Sequence, residues 1–205
     1  MKKTNVLVIH GGDTFKDEKG YLKYLRTKSI SLHNKVTWSR DDLGKALGPK
    51  FLVSNPRMPL QDYPEYRDWK LMFERYLPLL SKDFILVGGS LGGIFLAKYL
   101  SENKLKRKAL SVYLVCPPFD NDMPADDLAG GFDLKKNLSL LEKNTKNLYL
   151  MFSADDPVIP VSHAEKYRKK LSTGKIIIYK SKNGHFVIPK FPEIVRMIKA
   201  DVKAK

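Results

Sequence analysis

The sequence is short of cysteine, of acidic charge and of long apolar runs. Cys116 is the only cysteine among 205 residues, so no disulfide can form within the chain and a disulfide-stapled scaffold is excluded. The first apolar run, Val6 to Ile9 after Met1-Lys2-Lys3, is too short for a signal-peptide core or a membrane span and reads as a strand. From these two absences we expect a cytoplasmic protein with no membrane insertion. Asp and Glu number 22 against 37 Lys and Arg, a formal net charge of +15. Such an excess raises nucleic acid or an anionic membrane as a partner. The densest basic runs, Lys104 to Lys108 and Lys166 to Lys170, fall instead at the ends of expected helices, where cations complement exposed carbonyls. No zinc-finger, RNP-type or basic-zipper pattern accompanies them, so no nucleic-acid partner is expected. No His, Cys and carboxylate cluster has metal-ligand spacing, so neither metal nor cofactor is expected.

What is present is an ordinary globular composition, 43% hydrophobic and 29% charged, of a length that fits one domain over residues 1–205. Six short apolar runs rich in β-branched residues recur: Val6 to His10, Phe51 to Ser54, Phe84 to Val87, Ser111 to Val115, Leu148 to Phe152 and Lys175 to Tyr179. They read as buried strands. Between them lie stretches of helical period. Tyr66, Trp69, Phe73, Tyr76, Leu77 and Leu80 share one face, with Asp62 and Glu65 as caps; Ser162 and Glu165 form a capping box, with Gly174 as a left-handed C-terminal residue; a last helix follows Pro192, with Ile194, Ile198 and Val202 in a stripe. Strands alternating with helices predict an α/β fold, a three-layer α/β/α sandwich on a mainly parallel sheet. Two stretches, Gly11 to Trp38 and Cys116 to Leu134, resist this scheme. Each follows a strand end and would either border a ligand pocket or form plain surface loop.

Chemistry concentrates at Gly88-Gly89-Ser90-Leu91-Gly92, between a strand and a helix expected from about Leu91 to Leu100. A serine at such a turn projects its hydroxyl from strained backbone, and small neighbours let strand and helix approach. A serine nucleophile needs a base, and the base needs an acid to fix its tautomer. Asp156, in Asp155-Asp156-Pro157-Val158-Ile159-Pro160, follows the fifth run, and His185, in Asn183-Gly184-His185-Phe186, follows the sixth. The order Ser, Asp, His is that of α/β-hydrolases. Asp155 competes for the acid role; the spacing Asp-x-x-(Val/Ile)-Pro selects Asp156. Of the other histidines, His163 reads as surface or cap, His33 lies in the irregular stretch and His10 ends the first strand. Backbone N–H groups of Leu91, Gly12 and Asp13 are the candidates for an oxyanion hole. Cys116 reads as a buried thiol at a strand end.

A dinucleotide or phosphate loop at Gly88 to Gly93 is excluded in detail. The glycines are not spaced Gly-x-Gly-x-x-Gly, Lys106 to Lys108 stand where a ribose-binding acid belongs, and no Walker lysine follows.

Over nearly its whole length the chain resembles the small α/β-hydrolases related to retinoblastoma-binding protein nine and its bacterial relatives. The likeness rests on Asn55-Pro56-Arg57-Met58-Pro59, the Trp69 helix, the serine turn, Asp155-Asp156-Pro157 and Gly184-His185-Phe186. The resemblance implies no large cap domain and a Ser90-His185-Asp156 triad acting on esters or related acyl compounds. Relatives often carry histidine before the nucleophile, where this chain has Gly89. The expected activity is a carboxylesterase; with only the short segment Pro117 to Leu134 where larger relatives insert lids, an open pocket and short-chain or soluble esters are expected. Amidase, thioesterase or acyltransferase chemistry on the same triad, and a non-catalytic binding protein on the same fold, are the alternatives.

Overall fold

The computed structural model describes residues 3–33, 36–124 and 128–204. Six strands, β1 (Thr4–Ile9), β2 (Phe51–Ser54), β3 (Ile85–Gly89), β4 (Ala109–Val115), β5 (Thr145–Ser153) and β6 (Lys175–Tyr179), form one sheet in the order β2-β1-β3-β4-β5-β6. Every pairing is parallel. All six runs expected from the sequence are strands; the four inner ones are mostly buried, as a parallel sheet covered on both faces requires, but β2 and β6, at the two edges, contain no fully buried residue. The pleat then divides them. Leu7, Ile9, Leu86, Val112, Leu114, Leu150 and Phe152 enter one core layer, while Val6, Val8, Ile85, Val87, Tyr113, Val115 and Met151 enter the other.

Seven α-helices occur among the described residues: α1 (Glu18–Thr27), α2 (Leu43–Leu47), α3 (Tyr66–Tyr76), α4 (Leu91–Glu102), α5 (Ser139–Lys143), α6 (Ser162–Arg168) and α7 (Pro192–Lys203). Helices α3 to α6 cover the first layer and α2 with α7 the second, which completes the α/β/α sandwich. Helix α4 is buried nearly all round, as an apolar helix behind a central strand must be. Trp69 of α3 packs edge to face on Phe95 and Phe132 at 5.6 and 5.4 Å and donates its indole N–H to the Pro59 carbonyl at 2.8 Å. On the other side Asp201 of α7 accepts hydrogen bonds from Ser111 Oγ, Tyr113 OH and Tyr149 OH at 2.5, 2.6 and 2.9 Å. Burial against this carboxylate raises the Tyr149 phenol to about 12.

The expected helix ends are built differently. Asp62 does not cap α3 but pairs with Lys28 at 3.4 Å, and Glu65 makes no side-chain cap; the Tyr66 N–H goes to the Gly130 carbonyl at 2.8 Å. The Ser162–Glu165 capping box is absent because Glu165 turns to Arg168 and the Pro160 carbonyl takes the His163 N–H at 3.0 Å. Gly174 is not left-handed. A Cβ there would stand 3.1 Å from Leu171 and 3.3 Å from Leu148, so close packing is its role. His163 is not a surface or cap residue: it is fully buried, its Nδ1 accepting from the Phe119 N–H and its Nε2 donating to the Asp122 carbonyl, both at 2.8 Å. It thereby ties down the loop after β4, of which residues 125–127 lie outside the described residues. The stretch Gly11 to Trp38 contains α1, a helix with no buried residue. Asp17 caps it, accepting from the Gly20 N–H at 2.7 Å.

The strand order reverses between β1 and β3, so the loops leaving these two strands diverge and open a crevice at their C-terminal ends. Gly11 follows one strand and Ser90 the other.

Candidate active site

Ser90 stands alone between β3 and α4 with φ 52° and ψ −120°. A non-glycine residue there costs about 1–3 kcal/mol and persists only where its surroundings hold it. Here the Ser90 N–H donates to the Val115 carbonyl at 2.8 Å, and the N–H groups of Gly93 and Ile94 return to the Ser90 carbonyl at 2.8 and 3.2 Å. The flanking glycines let strand and helix meet. A Cβ on Gly88 would run into the Gly92 carbonyl, and one on Gly92 into the carbonyls of Ile9 and His10. Gly89 differs. A Cβ there would meet nothing within 4 Å, so a side chain before the serine would extend into free space.

Asp156 and His185 are brought together by the loops after β5 and β6. Asp156 Oδ2 accepts from His185 Nδ1 at 2.8 Å, while Oδ1 accepts from the N–H groups of Val158 and Ile159 at 2.8 and 3.0 Å. The carboxylate is buried and committed to accepting from Nδ1, which leaves Nε2 as the nitrogen that can exchange a proton. Asp155 is exposed and serves a different purpose. Its Oδ1 accepts from Ser153 Oγ and the Lys182 N–H at 2.5 and 3.2 Å, and its Oδ2 from Ser181 Oγ and the Gly184 N–H at 2.5 and 3.1 Å. It braces the loop that carries His185, and these donors hold its own pKa far below the usual carboxylate range. That loop bends through three left-handed residues, Asn183, Gly184 and Phe186.

His185 Nε2 meets Cys116 Sγ at 3.8 Å; no hydrogen bond joins it to Ser90 among the described residues. Such contacts often tighten only when substrate is bound. Burial pulls the imidazole pKa down, but the Cys116 sulfur and the Asp156 carboxylate outweigh it and hold the pKa above the ordinary 6.5. Cys116, the first residue beyond β4, is left-handed at φ 42° and buried as expected.

Ser90 and His185 both line two cavities. One, of about 360 Å³, is walled by Leu91, Pro118, Met123, Leu128, Val158 and Ile159, with Gly12 and Asp13 on its rim. The other, of about 610 Å³, is lined by Trp38, Arg57, Gly89, Cys116 and Phe186 among others. Both irregular stretches thus supply cavity walls. His33 is exposed and lines neither. His10 is engaged elsewhere: Nδ1 donates to the Gly11 carbonyl at 2.5 Å and Nε2 accepts from the Met58 N–H at 2.8 Å. Burial lowers its pKa, with Arg57 nearby acting in the same direction against the Gly11 bond.

Three residues make contacts at the site that no sequence signal specified, although Gly11 and Cys116 begin the two irregular stretches. Gly11 approaches the serine most directly, since a Cβ on it would lie 3.3 Å from Ser90 Cβ. Gln61, in a segment without periodicity, borders both cavities. Cys116 reaches His185 from 69 residues away.

Residues 33–190 match the family model described as serine hydrolase. No curated protein sequence matches significantly. Among solved structures, the ydeN gene product from B. subtilis superposes with a TM-score of 0.71 at 16% identity, covering 98% of this chain and 100% of that one. A structure from the metagenome-derived lipolytic enzymes LipS and LipT gives 0.63 at 14% identity, over 100% and 95% of the two chains. An esterase of Pyrococcus furiosus gives 0.58 at 16% identity, over 99% and 83%. These likenesses show the α/β-hydrolase fold.

Proposed function

Since the chain belongs to the serine hydrolase family, we propose that it is a carboxylesterase working through Ser90, His185 and Asp156. The observation that carries this reading is the 2.8 Å hydrogen bond from His185 Nδ1 to a buried, fully engaged Asp156, on a histidine that shares both its cavities with the strained serine. In the proposed reaction Ser90 Oγ attacks the acyl carbonyl and its proton passes to His185 Nε2. Asp156 keeps the imidazole oriented and stabilises its charged form. The leaving alcohol takes the proton from His185, and the acyl-enzyme is hydrolysed by a water that His185 deprotonates. Backbone N–H groups of Leu91 and of the Gly12–Asp13 segment stabilise the tetrahedral oxyanion, aided by the N-terminal end of α4.

Two cavities meeting at one serine suit an ester, which has a group on either side of its carbonyl. The apolar walls of the smaller cavity fit a short acyl chain, and the larger cavity fits the alcohol portion. Small soluble esters are therefore the proposed substrates, with no cofactor.

A fluorophosphonate probe should label the wild-type protein and fail to label Ser90→Ala. Turnover of p-nitrophenyl esters, fastest with short acyl chains, should fall on the order of 10⁴-fold in Ser90→Ala or His185→Ala. A folded wild type that resists the probe, or an undiminished rate in His185→Ala, would overturn the assignment.

A further inference from the structure

Cys116 has no place in that reaction, yet it lies beside the atom the reaction depends on. The ligating atoms of Cys116, Asp156 and His185 lie within 4.8 Å of one another. Asp156 is already engaged by two backbone N–H groups and the imidazole and lies behind the ring, which leaves Cys116 Sγ and His185 Nε2, 3.8 Å apart, as the facing pair. With ordinary bond lengths of about 2.3 Å to sulfur and 2.0–2.1 Å to nitrogen, a zinc ion spanning that gap would subtend roughly 120°, near the tetrahedral angle. A carboxylate on the far nitrogen of a metal-bound imidazole is the usual outer support of such a ligand, fixing its tautomer and raising its basicity. Asp156 supplies that support. Both ligands are held in place, His185 through Asp156 and Cys116 by its N–H donating to the Met151 carbonyl at 2.7 Å. The larger cavity, which both line, gives an ion a route inward and room for water in the remaining positions.

We propose that Cys116 and His185 form a binding site for a thiophilic divalent cation of the Zn²⁺ type, and that its occupation switches hydrolysis off. Thiolate and imidazole select zinc-like ions over Mg²⁺ or Ca²⁺, which prefer oxygen. On binding, the Cys116 thiol releases its proton to solvent and the His185 lone pair bonds the metal, with no change of oxidation state. That same lone pair would otherwise accept the Ser90 proton, so metal and catalysis exclude each other. The site stands on geometry alone; its inhibitory effect rests on the carboxylesterase reading.

The two are separated by measuring binding and activity independently. Co²⁺, added as a coloured substitute, should give the near-ultraviolet thiolate-to-metal charge-transfer absorption in the wild type and none in Cys116→Ala or Cys116→Ser. Zn²⁺ titrated into the ester assay should inhibit the wild type reversibly, with activity restored by EDTA. In both variants, each compared with its own metal-free rate, the half-inhibiting concentration should rise at least about tenfold. Absence of the thiolate band, equal Zn²⁺ sensitivity in Cys116→Ala, or equal inhibition by Mg²⁺ would overturn the proposal. A wild type without esterase turnover would count against the carboxylesterase reading, while the Co²⁺ spectrum would still decide the site.

Discussion

Asp155 and Asp156 are adjacent in sequence and opposite in environment, one exposed and bracing a loop, the other buried and bonded to His185. The spacing Asp-x-x-(Val/Ile)-Pro alone favoured Asp156 as the imidazole partner, and the structure agrees. Asp155 nevertheless matters to the site. Its removal frees Ser181, Lys182 and Gly184, and a displacement of about 1 Å at His185 suffices to slow turnover on the order of 10²-fold. Asp155→Ala should therefore lower kcat by up to that factor and slow fluorophosphonate labelling in parallel; wild-type kinetics would show the loop to be held by other contacts. The His185 pKa gives a second expectation. In the proposed reaction the neutral imidazole is the base, so activity should be present above the pKa and lost as pH falls through it. With the pKa raised, the acid limb of kcat/KM should lie above pH 6.5. Cys116→Ala, assayed with EDTA present, should move that limb downward, and an unmoved limb would show that the sulfur does not act on the base. No sequence pattern could announce this contact, since two residues on different strand ends become neighbours only when the sheet forms.

At the scale of elements, legibility followed apolar patterning. The six strands were readable because each holds a short apolar run, even β2 and β6, which are only partly buried at the sheet edges, and α4 and α7 because their faces are defined by what they cover. Helix α1 was not readable: it buries no residue fully, and Tyr21 and Tyr24 pack on the rings of Phe15 and Tyr63 outside the core. The helix caps were misread because Ser, Asp and Glu side chains at helix starts have several competing partners, and neighbours such as Lys28 and Arg168 were nearer. The glycines of the β3–α4 turn can be told apart by what surrounds them. Gly92→Ala drives a methyl group into backbone carbonyls that cannot rotate away, and should cost about 3 kcal/mol or more in urea unfolding. Gly89→Ala meets free space and should change stability by less than about 1 kcal/mol. Because it narrows the larger cavity, it should alter selectivity for the alcohol portion of the ester. A large stability loss at Gly89 would contradict this division.

Across the whole molecule the +15 charge finds its consequence in approach rather than in contact. A net positive field concentrates anions around the protein and speeds their encounter with the cavity mouth, an effect that salt suppresses. For an ester bearing a carboxylate, kcat/KM should fall several-fold, roughly up to tenfold, between low and high ionic strength. A neutral ester of equal size should be unaffected, and equal salt dependence of the two would assign the effect to something other than charge. No helix among the described residues is long and apolar enough to cross a membrane.

Helix α1 joins these scales. It is anchored to the cavity rim through Tyr24, whose hydroxyl donates to Asp13 at 2.5 Å, and through the rings of Phe15, Tyr21 and Tyr63, yet the core does not depend on it. A segment of this kind is a replaceable module: its length and residues can vary without endangering the sheet, while every variation is felt at the mouth of the pocket. Divergence of substrate range, in nature or in the laboratory, has an inexpensive starting point there.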